Sequence, residues 1–243
     1  MPKYGLVGKN IGYSFSKKFF TEKFERENQP DSYANFDLAT IEKFPELISD
    51  HPDLKGLNVT IPYKEKIIPF LDSLDPDAEK IGAVNTIKIS EDGSLRGFNT
   101  DHTGFRKALE TYLPLQKKTA LILGTGGAAK AVAYALKTLG FDYGFVSRRK
   151  KEHTRDYAAL NKSVIQNSPL IINCTPLGTF PKTGEYPPIP YQYLTENHLL
   201  FDLIYNPPAT EFLKHGKRYG AQTSNGLKML ELQALHAWTI WNS

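Results

Sequence analysis

Cysteine is almost absent from this sequence: Cys174 is the only one among 243 residues. A single cysteine excludes an intrachain disulfide and a zinc site built from cysteines, and Cys174 ends an apolar stretch, as a small core residue would. The six histidines show neither the close spacing of metal ligands nor the company of a serine or cysteine nucleophile motif. The sequence therefore predicts no metal site.

Long apolar runs and a strong excess of one charge are also missing. No uninterrupted apolar stretch approaches the roughly 18 residues that span a membrane, and residues 1–20 lack the apolar core of a signal peptide. The 30 basic and 26 acidic side chains give a net charge of +4, too mild to indicate a nucleic-acid-binding surface. We therefore expect a cytoplasmic protein with neither a membrane nor a nucleic acid as its partner.

What is present is the composition and the pattern of a folded α/β protein. Apolar residues make up 40% and charged residues 23%, enough for a packed core in one large or two small domains. Strand and helix patterns alternate along residues 1–100, which favours a mostly parallel sheet. The predicted strands there are 3–7, 32–38, 56–62, 83–89 and 95–98, and the predicted helices are 16–28, 41–49 and 63–71.

A second α/β pattern follows and ends in a long amphipathic helix. Its predicted strands are 119–123, 143–147, 170–174 and 199–205, and its predicted helices begin near 102 and after Gly124. The stretch 181–190 is rich in proline and predicts a loop. The last helix, 227–241, is expected to bury an apolar face formed by Leu227, Leu230, Ala234 and Trp238.

The second pattern opens with a dinucleotide-binding fingerprint. The apolar strand TALIL leads into GTGGAAK, with Gly124, Gly126 and Ala129 at the three small positions. These residues allow a tight turn, a close approach of the backbone to a pyrophosphate and packing of the helix on the strand. The start of the helix then offers its N–H groups to the phosphates. The alternative is a glycine-rich turn that binds nothing.

The next strand ends in basic residues, at the position where an NAD-binding site has an acidic residue. Ser147, Arg148 and Arg149 occupy this strand end, and no Asp or Glu stands between Asp142 and Glu152. A guanidinium here suits the 2′-phosphate of NADP. We favour this role for Arg148 over a solvated loop, and expect Lys150 and Lys151 to be solvated.

Polar residues interrupt the first pattern at strand ends. Asn58 and Thr60 lie two apart in an apolar strand and so point the same way, and Lys64 follows at a predicted helix start, where its charge opposes the helix dipole. This grouping suggests a ligand pocket. Asn85 is a similar interruption, whereas Asp101 taken by itself is better explained as a helix cap. Ser14 and Ser16 can likewise each cap the first helix.

Taken in order, these segments resemble the shikimate dehydrogenase family over residues 4–238. The resemblance rests on GLNVTIPYK (56–64), GAVNTI (82–87), GFNTD (97–101), GTGGAAK (124–130), NCTPLGT (173–179), DLIYNPPAT (202–210) and NGLKMLELQA (225–234).

The resemblance implies a role for individual residues. Lys64 and Asp101 would form the catalytic pair. The residues implied to bind substrate are Ser14, Ser16, Asn58, Thr60, Asn85, Tyr205 and Gln233. The residues implied to bind NADP are Gly124, Gly126, Gly127, Ala128, Ser147, Arg148 and Arg149, with Thr175, Leu203 and Gly226 on the nicotinamide side.

The resemblance also implies a fold and an activity. It implies two α/β domains with the active site in the cleft between them: a substrate domain of residues 1–100 completed by 226–243, and a Rossmann-type NADP domain of residues 101–225. The activity would be reversible reduction of 3-dehydroshikimate to shikimate, in chorismate and aromatic amino acid biosynthesis, by a monomer or homodimer. The alternatives are a quinate/shikimate dehydrogenase of broader specificity and a catalytically silent NADP-binding regulator.

The sequence leaves open how Lys64 and Asp101 handle the proton of the substrate hydroxyl. Hydride leaves carbon for the nicotinamide, so a nearby group must take or relay the hydroxyl proton. Lys64 either does this or stabilises the developing alkoxide as a cation. The chain departs from the family pattern at Tyr13, Lys17 and His102, and its segment after Arg148 is short for the family, which leaves other adenosine contacts undefined.

Overall fold

The computed structural model describes residues 3–12, 14–148 and 153–243. The chain forms two compact units, and one of them is discontinuous in sequence. Unit 1 comprises Met1–Thr100 and Gln233–Ser243, and unit 2 comprises Asp101–Leu232. Each unit is built around its own six-stranded sheet.

The sheet of unit 1 is mixed, so the expectation of a mostly parallel sheet holds only for part of it. Strand β1 pairs in parallel with β2 and β3, whereas β5 is antiparallel to both β3 and β6. Strands β5 and β6 are joined by a tight turn at 90–94, closed by Ser90 and Ser94, and such a hairpin forces antiparallel pairing. The order is β2-β1-β3-β5-β6-β4, with β1 Tyr4–Gly8, β2 Tyr33–Asp37, β3 Gly56–Val59, β4 Ser73–Leu74, β5 Thr86–Ile89 and β6 Leu95–Phe98.

The predicted helix at 63–71 is wrong. Residues 61–67 form turns, and only the short 3-10 helix Ile68–Phe70 follows. One α-type hydrogen bond forms, from Ile67 N to Tyr63 O at 2.9 Å. Ile68 N then donates to the Glu65 carbonyl at 3.5 Å rather than to that of Lys64, and Pro69 has no N–H to donate, so the α-helix does not continue. The helices of unit 1 are α1 Phe15–Arg26, α2 Phe44–Asp50 and α3 Pro76–Ile81.

The sheet of unit 2 is parallel throughout. Its three central strands are almost wholly apolar and buried along their length, as expected where a parallel sheet is covered on both faces. The order is β12-β11-β10-β7-β8-β9, with β7 Thr119–Leu123, β8 Asp142–Val146, β9 Thr154–Arg155, β10 Leu170–Asn173, β11 Leu199–Asp202 and β12 Gln222–Ser224.

Helices connect the strands of unit 2 in the manner of a βαβ fold. In the described part of the segment between Arg148 and β10, the chain forms the two-residue strand β9, the short 3-10 helix Tyr157–Ala159 and the five-residue helix Lys162–Gln166. The helices are α4 Asp101–Glu110, α5 Gly127–Thr138, α6 Lys162–Gln166 and α7 Glu211–Arg218.

The last helix, α8, runs from Leu227 to Trp241 as predicted, and of its predicted apolar face Ala234 is buried, Leu230 and Trp238 are half-buried and only Leu227 is exposed. Leu227 is 40% exposed, whereas Met229, Ala234, Ala237 and Trp241 are buried. Residues up to Leu232 group with unit 2 and residues from Gln233 with unit 1, so different stretches of the helix face different cores. Within the described residues, no helix has the length and apolar character needed to cross a bilayer.

Candidate active site

Unit 1 contains a buried polar network centred on the end of β3. Asn58 is only 4% exposed. Its Oδ1 accepts a hydrogen bond from the Tyr33 hydroxyl at 2.7 Å, and its Nδ2 donates to Asn85 O and to Thr86 Oγ1, both at 3.3 Å. Strands β2, β3 and β5 therefore each supply one member, and their register fixes the orientation of the Asn58 amide.

Asn85 extends this network to the last helix. Its Oδ1 accepts the backbone N–H of Thr100 at 2.6 Å. Its Nδ2 donates to Gln233 Oε1 at 3.3 Å, and the Thr100 hydroxyl donates to the same oxygen at 3.2 Å. Gln233 is 6% exposed and lies 148 residues from Asn85 in sequence. The structure thus brings together three of the predicted substrate-binding residues, Asn58, Asn85 and Gln233.

The two serines near α1 play different parts. Ser14 caps the helix, since its Oγ accepts the backbone N–H of Lys17 at 3.1 Å, so capping falls to Ser14 rather than Ser16. Ser16 is buried and forms a hydrogen bond with Tyr33. Burial raises the pKa of Tyr33 well above its usual value, and the bond to Ser16 opposes that rise. Ser16 therefore joins the Asn58 network through Tyr33. Tyr13 lies outside the described residues.

Thr60 and Lys64 follow β3 in the turns that replace the predicted helix. Both are half-buried. The Thr60 N–H donates to Val7 O at 2.9 Å, and the Lys64 carbonyl accepts the Val84 N–H at 2.7 Å. Lys64 is thus held beside the segment that carries Asn85. Because no helix begins at Lys64, its charge does not oppose a helix dipole.

In unit 2, Asp101 is the first residue of α4 and is 6% exposed. The next residue, His102, packs edge-on against Tyr134 of α5, with ring centroids 5.3 Å apart, and lies 3.3 Å from the Thr103 hydroxyl. This side chain occupies the position where the family pattern has glycine, and the helix accommodates it.

The glycine-rich turn combines a constrained backbone with an open face. Gly124 has a φ of +109°, which disfavours any other residue, and a β-carbon there would lie 3.1 Å from Cys174 O. A β-carbon on Gly126 would meet nothing within 4 Å, so this face of the turn is open. Helix α5 begins at Gly127, followed by Ala128, and directs its first N–H groups toward the turn.

The end of β8 carries the predicted adenosine contacts. The Ser147 N–H donates to Arg155 O at 2.9 Å, and Ser147 is half-buried. Arg148 is exposed, and its charge partly offsets the burial that raises the pKa of Tyr157 to about 12. Arg149 lies outside the described residues.

The loops after β10 and β11 are joined by buried side chains. Thr175 donates its hydroxyl to Asn173 Oδ1 at 2.6 Å, and the Leu203 N–H donates to Asn173 O at 3.0 Å. A β-carbon on Gly226 would overlap the Leu203 carbonyl, so only glycine allows this approach. Tyr205 is half-buried, and burial raises the pKa of its hydroxyl. The structure thus places Gly226 against Leu203 and bonds both Leu203 and Thr175 to Asn173.

A family model described as "Shikimate dehydrogenase substrate binding domain" matches residues 6–87. A Clostridium botulinum (strain Hall) protein named "Shikimate dehydrogenase (NADP(+))" is 39% identical over 248 residues, which covers 98% of this chain and 95% of that protein. The chain belongs to the shikimate dehydrogenase family.

Solved structures of the shikimate dehydrogenase family have the same fold. Shikimate 5-dehydrogenase from Thermus thermophilus, in complex with NADP(H) and shikimate, is 31% identical with a TM-score of 0.88, covering 99% of this chain and 93% of that one. Quinate dehydrogenase from Corynebacterium glutamicum, in complex with NAD, is 27% identical with a TM-score of 0.87, covering 98% and 92%. The predicted family and two-sheet α/β fold are thereby confirmed.

Two residues of this shikimate dehydrogenase family member were missed by sequence reasoning. Asp202 and Thr210 lie within the segment 202–210 that carried the resemblance, yet no role was assigned to them. Both are buried, and the Thr210 hydroxyl donates to Asp202 Oδ2 at 2.6 Å. The available signal was an acidic residue inside the otherwise apolar first half of the predicted strand 199–205, where a buried charge needs partners.

Proposed function

We propose that the protein is an NADP-dependent shikimate dehydrogenase that reversibly reduces 3-dehydroshikimate to shikimate. The observation that carries the proposal is the extent of the match, since relatives bearing that name are 36–39% identical over 98% of this chain. The polar network in unit 1 and the glycine-rich turn in unit 2 provide the two kinds of site that such a reaction needs.

The residues of unit 2 fit a dinucleotide. The tight turn at Gly124, the open face of Gly126 and the start of α5 suit a pyrophosphate, which we assign to Gly124, Gly126, Gly127 and Ala128. Ser147, Arg148 and Arg149 would hold the adenosine end with its 2′-phosphate, and Thr175, Leu203 and Gly226 the nicotinamide side. The bound nicotinamide supplies the hydride acceptor and donor.

The residues of unit 1 suit a small polyhydroxylated acid. Amide and hydroxyl groups discriminate hydroxyl-bearing ligands because a missing partner leaves them unpaired in a buried place. We assign substrate binding to Ser14, Ser16, Asn58, Thr60, Asn85 and Gln233, together with Tyr205 from unit 2. Lys64 and Asp101 are proposed as the catalytic pair, in which Lys64 moves the hydroxyl proton or stabilises the alkoxide.

A quinate dehydrogenase is the second candidate, favoured by the likeness to the Corynebacterium glutamicum enzyme. Quinate and shikimate are both hydroxylated ring acids, so the polar network of unit 1 suits either. A catalytically silent NADP-binding regulator is a less favoured alternative because the chain keeps both Lys64 and Asp101.

Purified protein should be assayed with shikimate and with quinate, each with NADP and with NAD, by following the reduced nicotinamide. We expect shikimate with NADP to give the highest kcat/KM. Higher kcat/KM with quinate would establish the second candidate, and NADP binding without turnover of either acid would establish the silent regulator. Light scattering on the same sample would distinguish a monomer from the homodimer, and a cytoplasmic location stays a prediction.

A further inference from the structure

Asp202 is a buried carboxylate with no role in the chemistry described so far. It is fully buried at the end of β11, and no ion pair to it occurs among the described residues. Burial raises the pKa of Asp202 to about 6, although its hydrogen bonds oppose that rise. A buried charge without a counter-charge is expensive. A role in the neighbouring predicted nicotinamide contacts would explain why a carboxylate is kept at this buried strand end.

Its hydrogen bonds come from different loops. Oδ1 accepts from Asn173 Nδ2 and from the Ile204 N–H, both at 3.0 Å. Oδ2 accepts the Thr210 hydroxyl at 2.6 Å. Each of these three groups donates, as an ionised carboxylate requires. Asp202 thus ties the end of β10, the turn after β11 and the start of α7 to one point.

The groups that Asp202 holds are themselves bonded to the predicted nicotinamide contacts. Asn173 Oδ1 accepts both the N–H and the hydroxyl of Thr175, at 3.0 and 2.6 Å. The Gly226 N–H donates to Ile204 O at 3.0 Å. Asn173 and Ile204, which are bonded to Asp202, are therefore each one hydrogen bond away from a residue assigned to the nicotinamide side, Thr175 and Gly226 respectively.

We propose that Asp202 is a positioning residue for hydride transfer, which sets Thr175, Leu203 and Gly226 through Asn173 and Ile204. The inference rests on the proposed function, because it concerns the nicotinamide side of that site. Misplacement of a reacting group by about 1 Å costs on the order of a hundredfold in rate, so positioning acts mainly on kcat. Affinity for NADP, carried largely by the glycine-rich turn and the basic strand end, should change little.

The test uses Asp202→Asn in the full-length chain, with Thr210→Val and Thr210→Ser. Asparagine keeps the volume but replaces one acceptor by an N–H donor, so one of the donors facing it loses its acceptor. Valine removes the Thr210 hydroxyl, and serine restores it. Asn161→Ala serves as the stability control, because it removes the α6 cap, where Asn161 Oδ1 accepts Val164 N at 3.1 Å.

For each variant we would measure kcat, KM, NADPH affinity by calorimetry, and amide hydrogen exchange in segments 173–177 and 203–205. Asp202→Asn should lower kcat about ten- to a hundredfold, change NADPH affinity less than about threefold, and speed exchange in both segments. Thr210→Val should do the same more weakly, and Thr210→Ser should restore kcat. Asn161→Ala should keep wild-type kcat.

Wild-type kcat in Asp202→Asn would overturn the inference, as would a loss of kcat with unchanged exchange in both segments. An equal loss of kcat in Asn161→Ala would show that the loss reflects general instability, and it would also overturn the inference. If Asp202→Asn does not fold, the difference between Thr210→Val and Thr210→Ser decides. If the wild type oxidises no shikimate, the proposed function fails. The anchoring role of Asp202 is then decided by hydrogen exchange alone: faster exchange in Asp202→Asn would support it, and unchanged exchange would refute it.

Discussion

Trp241 donates its indole N–H to the carbonyl of Ile87 at 2.9 Å, across 154 residues of sequence. Its ring lies 4.8 Å from that of Tyr4 and 5.2 Å from that of Phe20, so the end of α8 completes an aromatic core in unit 1. A β-carbon on Gly56 would overlap the same indole. The first and last parts of the chain therefore share one core.

Replacing Trp241 should destabilise unit 1. Trp241→Ala removes a buried aromatic ring and should lower the free energy of unfolding by about 3–5 kcal/mol, whereas Trp241→Phe, which keeps one six-membered ring but loses the hydrogen bond and part of the indole, should cost about 1–3 kcal/mol. Urea unfolding measures both. Leu235→Ala, at a 44% exposed position of the same helix, should change stability by less than about 0.5 kcal/mol. Equal effects at the two positions would contradict the packing described.

Lys64→Ala should lower kcat by about a hundredfold or more, the usual scale for a general acid–base group, and leave NADP affinity nearly unchanged. The backbone should persist, since it is the Lys64 carbonyl that bonds to Val84. Steady-state kinetics with shikimate measures the effect. Lys66→Ala, an exposed lysine of the same segment, is the matched control. Near-normal turnover in Lys64→Ala would remove this residue from the mechanism.

Gln233→Ala should raise KM for shikimate about three- to tenfold, the value of one or two neutral hydrogen bonds. Its Oε1 holds both Asn85 and Thr100, so its loss also loosens the network that we assign to substrate. Initial rates at varied shikimate concentration test this, with the exposed Gln192→Ala as control. An unchanged KM would show that the network does not contact substrate.

Arg148→Ala should weaken NADP binding about tenfold while NAD binding barely changes, because only NADP carries the 2′-phosphate. Calorimetry with each nucleotide gives the ratio. Arg149 is able to compensate, which makes the double variant Arg148→Ala/Arg149→Ala the stricter test. Arg218→Ala, on α7, is the control. If the double variant keeps the wild-type preference, the basic strand end is simply a solvated loop.

Asp202 should give a pH-dependent contribution to stability. Burial raises its pKa from 3.8 to about 6 in the folded protein, so folding favours the protonated form. The protonated carboxyl therefore stabilises the folded state fully at a pH below its unfolded pKa, and this stabilisation is lost as the pH rises through about 6. When the pH is lowered from 8 to 5, the free energy of unfolding of the wild type should rise by roughly 1–1.5 kcal/mol relative to that of Asp202→Asn. Urea unfolding of both proteins at the two pH values tests this, and a constant difference would refute the assignment.

The family and the fold could be predicted from sequence because strand–turn–helix signals are local. The glycine-rich turn and helix α8 follow from adjacent residues, and both were predicted. The helix at Lys64 was predicted wrongly because the effect of Pro69 was not weighed against an apolar pattern. The mixed sheet of unit 1 was missed although the predicted strands 83–89 and 95–98 are separated only by residues 90–94, a connection too short for the crossover that parallel pairing needs.

The candidate site was predictable where a residue type stands out in its strand, as Asn58 does. Partners distant in sequence were not predictable in the same way. Asp202 and Asn173 are 29 residues apart, and only the register of β10 and β11 makes them neighbours. Gly226 was placed by resemblance, and the structure adds the reason, since the Leu203 carbonyl leaves no room for a side chain.

The discontinuity of unit 1 has a consequence for synthesis on the ribosome. Unit 2 is one continuous stretch, Asp101–Leu232, and its sheet requires nothing from outside that stretch. Unit 1 lacks Gln233 and Trp241 until all of unit 2 has been made, so the Asn85 network is without its bond to Gln233 and the aromatic core is without the Trp241 indole. We therefore expect the second half of the chain to fold first and the N-terminal half to remain a substrate for chaperones until translation is nearly finished.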